Sequence, residues 1–207
     1  SLLKRHKPTY VDKAINSLKD ANCFKLNRSV STSNSKAPIG FLDYESFREQ
    51  ALNADKSLLD VKHEYYLWLK QIIEWSVPRN LGFIVSHKKD SIVVSDLIQV
   101  LESCGYGNVD RKAFEDLDEE SDLGDKAIIV LTSAISTGNS LVDTNRALRL
   151  AGHKGMRIFI TPYTTASSKS DFESFKTSLL QGVNGFKYSF FSYRTIFVGN
   201  KKYSSWD

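Results

Sequence analysis

The sequence has no long hydrophobic run. None of its apolar stretches approaches the roughly 18–20 residues that a membrane-spanning helix requires, so we expect no membrane association. The chain starts at Ser1 rather than at methionine, so it need not be a complete protein. No apolar segment typical of a secretion signal follows Ser1.

Cysteine and histidine are scarce, and their spacing is not that of metal ligands. The 207 residues include two cysteines, Cys23 and Cys104, and four histidines. Scattered cysteines without a secretion signal are typical of reduced thiols in the cytoplasm, so we predict a cytoplasmic protein with no protein-built metal site. A Ser-His-Asp signature and the lysine of a Walker A loop are also absent from the sequence.

The remaining composition is that of a folded domain. Hydrophobic residues make up 41% of the chain, charged residues 25% and aromatic residues 12%, which excludes disordered, collagen-like and mucin-like chains. The formal net charge of +4 is a mild excess, so nucleic acid is a weak candidate as partner.

Residues 1–80 have apolar residues at helical spacing. Helices are predicted over residues 9–21, 43–50 and 56–75, with a polar loop at residues 29–38. We interpret residues 1–80 as a helical hood or a partner-binding segment. The aromatic residues of the third helix predict either core packing or a contact with a second copy or another protein.

Residues 81–207 predict an α/β core with a C-terminal hairpin. Continuously apolar runs predict buried strands at residues 81–85, 126–131 and 156–161, the last one stopped by Pro162. Helices are predicted at residues 90–104, 139–151 and 170–181. Residues 110–125 are acidic and poor in apolar residues, and the acidic run at residues 115–125 is predicted to form a solvated loop. Gly199 and Asn200 predict a two-residue hairpin in the aromatic β-rich C-terminal end.

Alternating strands and helices with short connections predict a parallel sheet with helices on both faces. Ligands of such sheets bind beyond the carboxyl ends of the strands. This rule selects three turns, at residues 86–91, 132–140 and 161–165.

The second turn carries the most chemical information. It follows a buried strand, contains Ser136, Thr137, Gly138, Asn139 and Ser140, and leads directly into a helix. The first amides of a helix are unpaired and carry partial positive charge, so they attract phosphate, while glycine allows close approach of the backbone. An ordinary capped turn is the alternative interpretation of the same residues.

The segment around this turn resembles type I phosphoribosyltransferases. Their loop has an apolar strand, two acidic residues, two further residues, Ser/Thr-Thr-Gly-x-Ser/Thr and then a helix. The corresponding residues here are Ile128-Ile129-Val130-Leu131, Thr132-Ser133, Ala134-Ile135 and Ser136-Thr137-Gly138-Asn139-Ser140. The Ala-Leu-Arg-Leu-Ala-Gly ending of the helix, at residues 147–152, is similar as well.

The resemblance implies a role for each turn. Ser136, Thr137, Gly138, Asn139 and Ser140 would hold the 5′-phosphate of phosphoribosyl pyrophosphate or of a nucleotide, with Mg²⁺ accompanying the pyrophosphate compound. Thr132 and Ser133 would contact the ribose. His87, Lys88 and Lys89 would occupy the position of the pyrophosphate loop, where the lysines could meet a diphosphate.

The sequence departs from the family at the acidic pair, which is replaced by Thr132 and Ser133. Hydroxyl groups can hydrogen-bond a ribose but bring no negative charge to a cationic transition state. We therefore predict a domain that binds phosphoribosyl pyrophosphate or a nucleotide phosphate, with weakened or lost transfer activity and a regulatory role.

Two alternatives remain open at this stage. One is an active phosphoribosyltransferase or nucleotide-processing enzyme in which unusual residues replace the acidic pair. The other is an interaction module of a bacterial conflict or defence system, which would bind a homo-oligomeric or protein partner through the aromatic surfaces.

Overall fold

A computed structural model describes residues 24–26, 40–42, 44, 64–117, 123–135, 138–180 and 188–197. This part of the chain contains eight strands: β1 (Phe24–Leu26), β2 (Gly40–Leu42), β3 (Leu81–Ser86), β4 (Asp110–Ala113), β5 (Ala127–Leu131), β6 (Ala134–Ile135), β7 (Arg157–Ala166) and β8 (Tyr188–Phe197). Strands β1 and β2 form a small antiparallel sheet, and the other six form one parallel sheet.

The same part of the chain contains four α-helices: α1 (Glu64–Ser76), α2 (Ser91–Ser103), α3 (Asn139–Leu150) and α4 (Lys169–Leu180). Two short 3₁₀ turns, Lys88–Asp90 and Phe114–Asp116, follow β3 and β4. Helix α4 begins one residue before the predicted start, because Ser168 Oγ accepts a hydrogen bond from Asp171 N–H at 3.1 Å. None of the described helices is long and apolar enough to cross a membrane.

In the large sheet, β4 pairs with β3, β3 with β5, β5 with β7, and β7 with β8. Strand β6 also pairs with β7, and the register of Leu131 with Ile160 continues unchanged to Ala134 with Tyr163. Strands β5 and β6 are therefore one line of backbone interrupted at residues 132 and 133.

The prediction that Pro162 ends the third strand is wrong. Strand β7 runs through this proline to Ala166, so residues 161–165 form strand rather than a turn. Proline has no N–H to donate to a neighbouring strand. In the common register Pro162 stands opposite Ser133, at the interruption between β5 and β6, where the sheet already lacks a continuous ladder.

Helices cover both faces of the sheet, as the sequence predicted. Because side chains alternate along a strand, Ile84 and Ile129 face α1 and α2, while their neighbours Val85 and Val130 face α3 and α4. All four side chains are buried. The continuously apolar runs follow from this arrangement, since both faces of each central strand are covered.

The N-terminal region contains helix α1, as predicted, together with the sheet of β1 and β2, which the sequence analysis missed. Strands of three residues are too short to give an alternating pattern. Residues 9–21, most of 43–50 and 56–63 lie outside the described residues. The aromatic residues of α1 differ in environment: Tyr65 and Tyr66 are buried, whereas Trp75 is 78% exposed. The division at residue 80 remains a prediction.

The sequence analysis missed the edge strand β4 (Asp110–Ala113), which lies at the start of the acidic segment and before the predicted loop at residues 115–125. Three of its four residues are exposed, so it lacks the apolar pattern that marks the central strands. Strand β8 lies at the other edge, parallel to β7. The predicted hairpin at Gly199 and Asn200 lies outside the described residues.

A buried arginine fixes the amino end of β7. Arg157 Nε donates to His153 Nδ1 at 3.1 Å, and its Nη1 donates to Asn145 Oδ1 at 2.6 Å. Burial lowers the pKa of Arg157 to about 10, so it remains protonated at neutral pH. Because His153 Nδ1 accepts from Arg157, its Nε2 carries the proton that it donates to Lys126 O at 2.9 Å. The hydrogen-bonded histidine is therefore neutral.

Protonation of His153 should destabilise the fold. Burial, followed by the charge of Arg157, lowers the pKa of His153, although the Lys126 carbonyl acts in the opposite direction. The unfolded chain therefore takes up this proton at higher pH than the folded protein, and stability is lost as the pH falls below about 6.5. We expect urea unfolding to show a larger loss of stability between pH 7.5 and 5.5 in the wild type than in His153→Gln. Equal losses would contradict this assignment.

Candidate functional site

The sheet topology places a crevice between β3 and β5. From β3 the chain crosses through α2 to β4 on one side, whereas from β5 it crosses through α3 to β7 on the other side. The connections after the two strands therefore diverge. In open parallel sheets, this switch point is where ligands bind. The first and second turns selected from the sequence meet here.

The turn after β3 is held by the turn after β4. His87 Nδ1 lies 3.0 Å from Glu115 Oε1, and Lys88 N–H donates to Glu115 Oε2 at 3.1 Å. The carboxylate can only accept, so Nδ1 is the protonated ring nitrogen. The pKa of Glu115 is lowered by its own backbone N–H, by His87 and by Lys88 N–H. The acidic segment thus contributes two side chains, Glu115 and Asp116, to this turn.

Lys88 is paired with a carboxylate of the neighbouring turn. Its Nζ lies 2.6 Å from Asp116 Oδ1, and this hydrogen bond raises the pKa of the lysine. Lys89 is exposed. Arg111 on β4 also reaches the turn, since its Nε donates to Ser86 Oγ at 2.9 Å and its Nη2 donates to His87 O at 2.8 Å. A diphosphate would have to compete with Asp116 for Lys88.

Asp90 joins the first turn to the second. It is the last residue of the 3₁₀ turn, is only 2% exposed, and accepts a hydrogen bond from Ser133 N–H through Oδ1 at 3.3 Å. Its other carboxylate oxygen, Oδ2, is buried and has no hydrogen-bond partner among the described residues. The sequence analysis placed Asp90 at the start of the helix predicted over residues 90–104, but its side chain makes no capping bond to α2.

The two residues at the position of the acidic pair occupy the interruption of the β5–β6 line. Thr132 is buried and its N–H donates to Ile160 O at 3.3 Å. Its hydroxyl donates to Ala134 O at 3.4 Å, so it is directed at the local backbone. Ser133 is half-buried and binds Asp90 through its N–H.

The predicted phosphate loop is described in part. Ser136 and Thr137 lie outside the described residues. Gly138 is buried with φ of +77°, directly before α3, and Asn139 and Ser140 are exposed at the first positions of the helix. In the described chain, no side chain caps this helix start. The first amides of α3 therefore have no capping side chain among the described residues.

Gly138 also contacts helix α4. A Cβ built at this position would lie 2.6 Å from Phe175 Cδ2. Beside this contact is a pocket of about 280 Å³. It is lined by Ile135, Gly138, Thr164, Thr165, Ala166, Ser167, Asp171, Phe172 and Phe175. The lining therefore includes two aromatic rings, the hydroxyl groups of residues at and after the end of β7, and the carboxylate of Asp171.

The described residues around this crevice do not form a binding site for a divalent cation by themselves. Among the described residues, no group of three or more His, Cys, Asp or Glu side chains could hold a metal ion. Mg²⁺ is often bound by one or two carboxylates together with substrate phosphates. At this edge of the sheet, its phosphate ligands would have to come from the bound compound.

Comparison with solved structures identifies the fold. The UMP synthase of Leishmania donovani matches with a TM-score of 0.50 at 10% identity, over 89% of this chain and 36% of that chain. This chain has a type I phosphoribosyltransferase-like fold. Orotate phosphoribosyltransferase from Aeropyrum pernix has a TM-score of 0.49 at 10% identity, over 88% of this chain and 93% of that chain. No protein-family model matches the sequence, and no curated protein matches it.

The phosphoribosyltransferase-like fold brings together the turn with His87, Lys88 and Lys89 and the turn with Thr132 and Ser133. The third predicted turn, at residues 161–165, does not join them, because these residues form part of strand β7. Sequence reasoning missed Asp90 and the two phenylalanines of α4. An aspartate four residues after a buried strand was the available signal for Asp90. Phe172 and Phe175 had no such signal in the sequence. Helical periodicity shows which side of α4 is apolar, but it does not show which loop that side contacts.

The contact between Gly138 and Phe175 gives a stability prediction. Gly138→Ala should lower the free energy of unfolding by roughly 2–4 kcal/mol, because alanine is strained at positive φ and its methyl group overlaps the ring. In a Phe175→Ala background only the backbone strain remains, so the same change should cost roughly 1–2 kcal/mol. Urea unfolding of the four proteins measures the difference. The same cost in both backgrounds would show that the ring does not restrict this position.

Proposed function

We propose that this chain binds a 5′-phosphorylated pentose, either phosphoribosyl pyrophosphate or a nucleoside monophosphate, and acts in a regulatory role with weakened or lost transfer activity. The observation that carries the proposal is the start of α3 at the switch point of a phosphoribosyltransferase-like fold. There a glycine in the left-handed conformation precedes a helix whose first turn has no described side-chain cap.

The helix start supplies the interactions that a phosphate requires. The first amides of α3 carry the partial positive charge of the helix N-terminus. Ser140 adds an exposed hydroxyl group. The space that a Cβ of Gly138 would take is filled by the ring of Phe175, so the phosphate would approach the exposed residues Asn139 and Ser140. Ser136 and Thr137 belong to the same proposed cradle on the strength of the sequence pattern.

The neighbouring pocket suits the rest of a nucleotide. A volume of about 280 Å³ is at the lower end of the size range of ligand pockets, which fits a single small ring system. Phe172 and Phe175 offer aromatic surface, while Thr164 and Thr165 lie at the end of β7. A planar base could stack against the rings while the phosphate remains at α3.

The proposed loss of transfer activity rests on the charges at the switch point. Transfer from phosphoribosyl pyrophosphate develops positive charge on the sugar, which preorganised negative groups stabilise. Thr132 and Ser133 provide none, and the hydroxyl of Thr132 is bonded to Ala134 O. Lys88, the candidate for the departing diphosphate, is paired with Asp116.

Phosphate binding at α3 is tested with Ser140→Asp. An added carboxylate at the helix start should repel a phosphate and weaken binding at least tenfold, while it should leave the helix as stable or more stable. Isothermal titration calorimetry with phosphoribosyl pyrophosphate, ribose 5-phosphate and nucleoside monophosphates measures the affinities. Thermal unfolding measures the helix effect.

Ser178→Asp is the matched control for this variant. Ser178 is exposed near the C-terminal end of α4, and the Ser178→Asp variant carries the same added charge. The affinity of this variant for each phosphorylated compound should equal that of the wild type. If Ser140→Asp binds as tightly as Ser178→Asp, the phosphate does not lie at α3. If no phosphorylated compound binds the wild type, the proposed function is wrong.

The second candidate function, an active transferase, is favoured by one observation: the carboxylate of Asp90 lies at the switch point. Incubation with phosphoribosyl pyrophosphate, Mg²⁺ and the common purine and pyrimidine bases distinguishes an active transferase from a binding domain. The quantity measured is the pyrophosphate released. We expect no pyrophosphate release above a heat-inactivated control. Release that depends on a particular base would establish the enzyme and overturn the proposed loss of transfer activity.

A further inference from the structure

Asp90 is a buried carboxylate whose interactions are incomplete. It is 2% exposed, and its side chain makes one described hydrogen bond, the 3.3 Å contact from Ser133 N–H to Oδ1. Oδ2 is buried, and no hydrogen-bond partner for it lies in the part of the chain that the structure describes. Buried carboxylates normally have several donors, because an unpaired one loses its hydration without compensation.

Nearby charged groups do not compensate for this carboxylate. In the same turn, Lys88 is bonded to Asp116 and Lys89 is exposed, while Arg111 on β4 donates to Ser86 Oγ and to His87 O. Asp90 also does not cap α2, although it immediately precedes that helix. The described contacts thus account for one of its two oxygens.

The position of Asp90 points to a ligand. It follows β3, contacts the residue after β5, and so lies in the crevice between the two strands. Ser133, its partner, occupies one of the two positions where the resembling enzymes carry acidic residues. The start of α3, where the phosphate is proposed to bind, belongs to the same β5-to-α3 connection.

We propose that Asp90 binds the ribose hydroxyl groups of the ligand. This inference rests on the proposed function, since it assumes a pentose phosphate with its phosphate at α3. A carboxylate has four acceptor sites and can receive hydrogen bonds from two vicinal hydroxyl groups. One carboxylate from the first turn then takes the place of the acidic pair that the second turn lacks.

Ligand binding would involve a small rotation of the Asp90 side chain. The bond to Ser133 N–H is long at 3.3 Å and is the one described bond that holds the carboxylate. Rotation exposes Oδ2 to the crevice and leaves Ser133 N–H free to donate to an oxygen of the ligand. The carboxylate of Asp90 and the N–H of Ser133 then lose the weak bond between them, and each gains a hydrogen bond to the ligand.

The proposal predicts discrimination between ribose and 2-deoxyribose. The wild type should bind ribose 5-phosphate roughly 10–100 times more tightly than 2-deoxyribose 5-phosphate, the effect of one hydrogen bond to a charged acceptor. In Asp90→Asn, the ratio should fall to about threefold or less, with the affinity for the deoxy compound nearly unchanged. Calorimetry at constant salt measures both ratios.

Asp90→Asn is suited to separating a binding role from a structural one. The Asn side-chain oxygen can still accept from Ser133 N–H, whereas the amide nitrogen replaces the unpartnered Oδ2. Its melting temperature should therefore equal or exceed that of the wild type, because an unpaired buried charge has been removed. Asp110→Asn, an exposed aspartate at the amino end of β4, is the control and should keep the wild-type ratio.

The outcomes separate this inference from the proposed function. If the wild type binds both sugar phosphates equally, or if Asp90→Asn keeps the discrimination, Asp90 does not bind the ribose, while phosphate binding at α3 stands. If neither sugar phosphate binds the wild type, the proposed function fails and this inference fails with it. The wild-type ratio requires no variant, so the test holds even if Asp90→Asn does not fold.

Discussion

Strands β3 and β5 pair in parallel, with Ser86 beside Leu131 at their carboxyl ends. The connections that follow lead to opposite sides of the sheet, so the space above this pair is not filled by a crossover. Every feature of the candidate site depends on this pairing. It sets Asp90 beside Ser133 and brings both to the same edge of the sheet as the first turn of α3.

The charged groups at this edge are mostly paired with one another. His87 and Lys88 bind Glu115 and Asp116, which belong to the neighbouring turn. Exposed pairs of this kind contribute little to stability, so they can be exchanged for a ligand at low cost. The buried network of Arg157, His153 and Asn145 lies at the other end of β7 and has no such freedom. The protein thus keeps its fixed polar contacts at one end of the sheet and its exchangeable ones at the other.

The sequence was sufficient to predict the architecture, because buried strands and amphipathic helices leave strong patterns. The runs around Ile84, Ile129 and Ile158 gave the three central strands, and their order along the chain gave the parallel sheet. The edge strand β4 could not be predicted, since its exposed charged residues resemble a loop. The course of β7 through Pro162 depends on an interruption in a neighbouring strand, which no local pattern records. Asp90 differs from an ordinary helix cap only in the direction of its side chain, and this direction is set by Ser133, far away in sequence.

At the interruption between β5 and β6, the backbone is fixed independently of the side chains. Residues 132 and 133 are held by strand on both sides, in one register along β7. Their side chains can therefore differ in chemistry without altering the course of the backbone. The same cleft can thus present acids, alcohols or other groups at these two positions, and the strands on either side need no rearrangement.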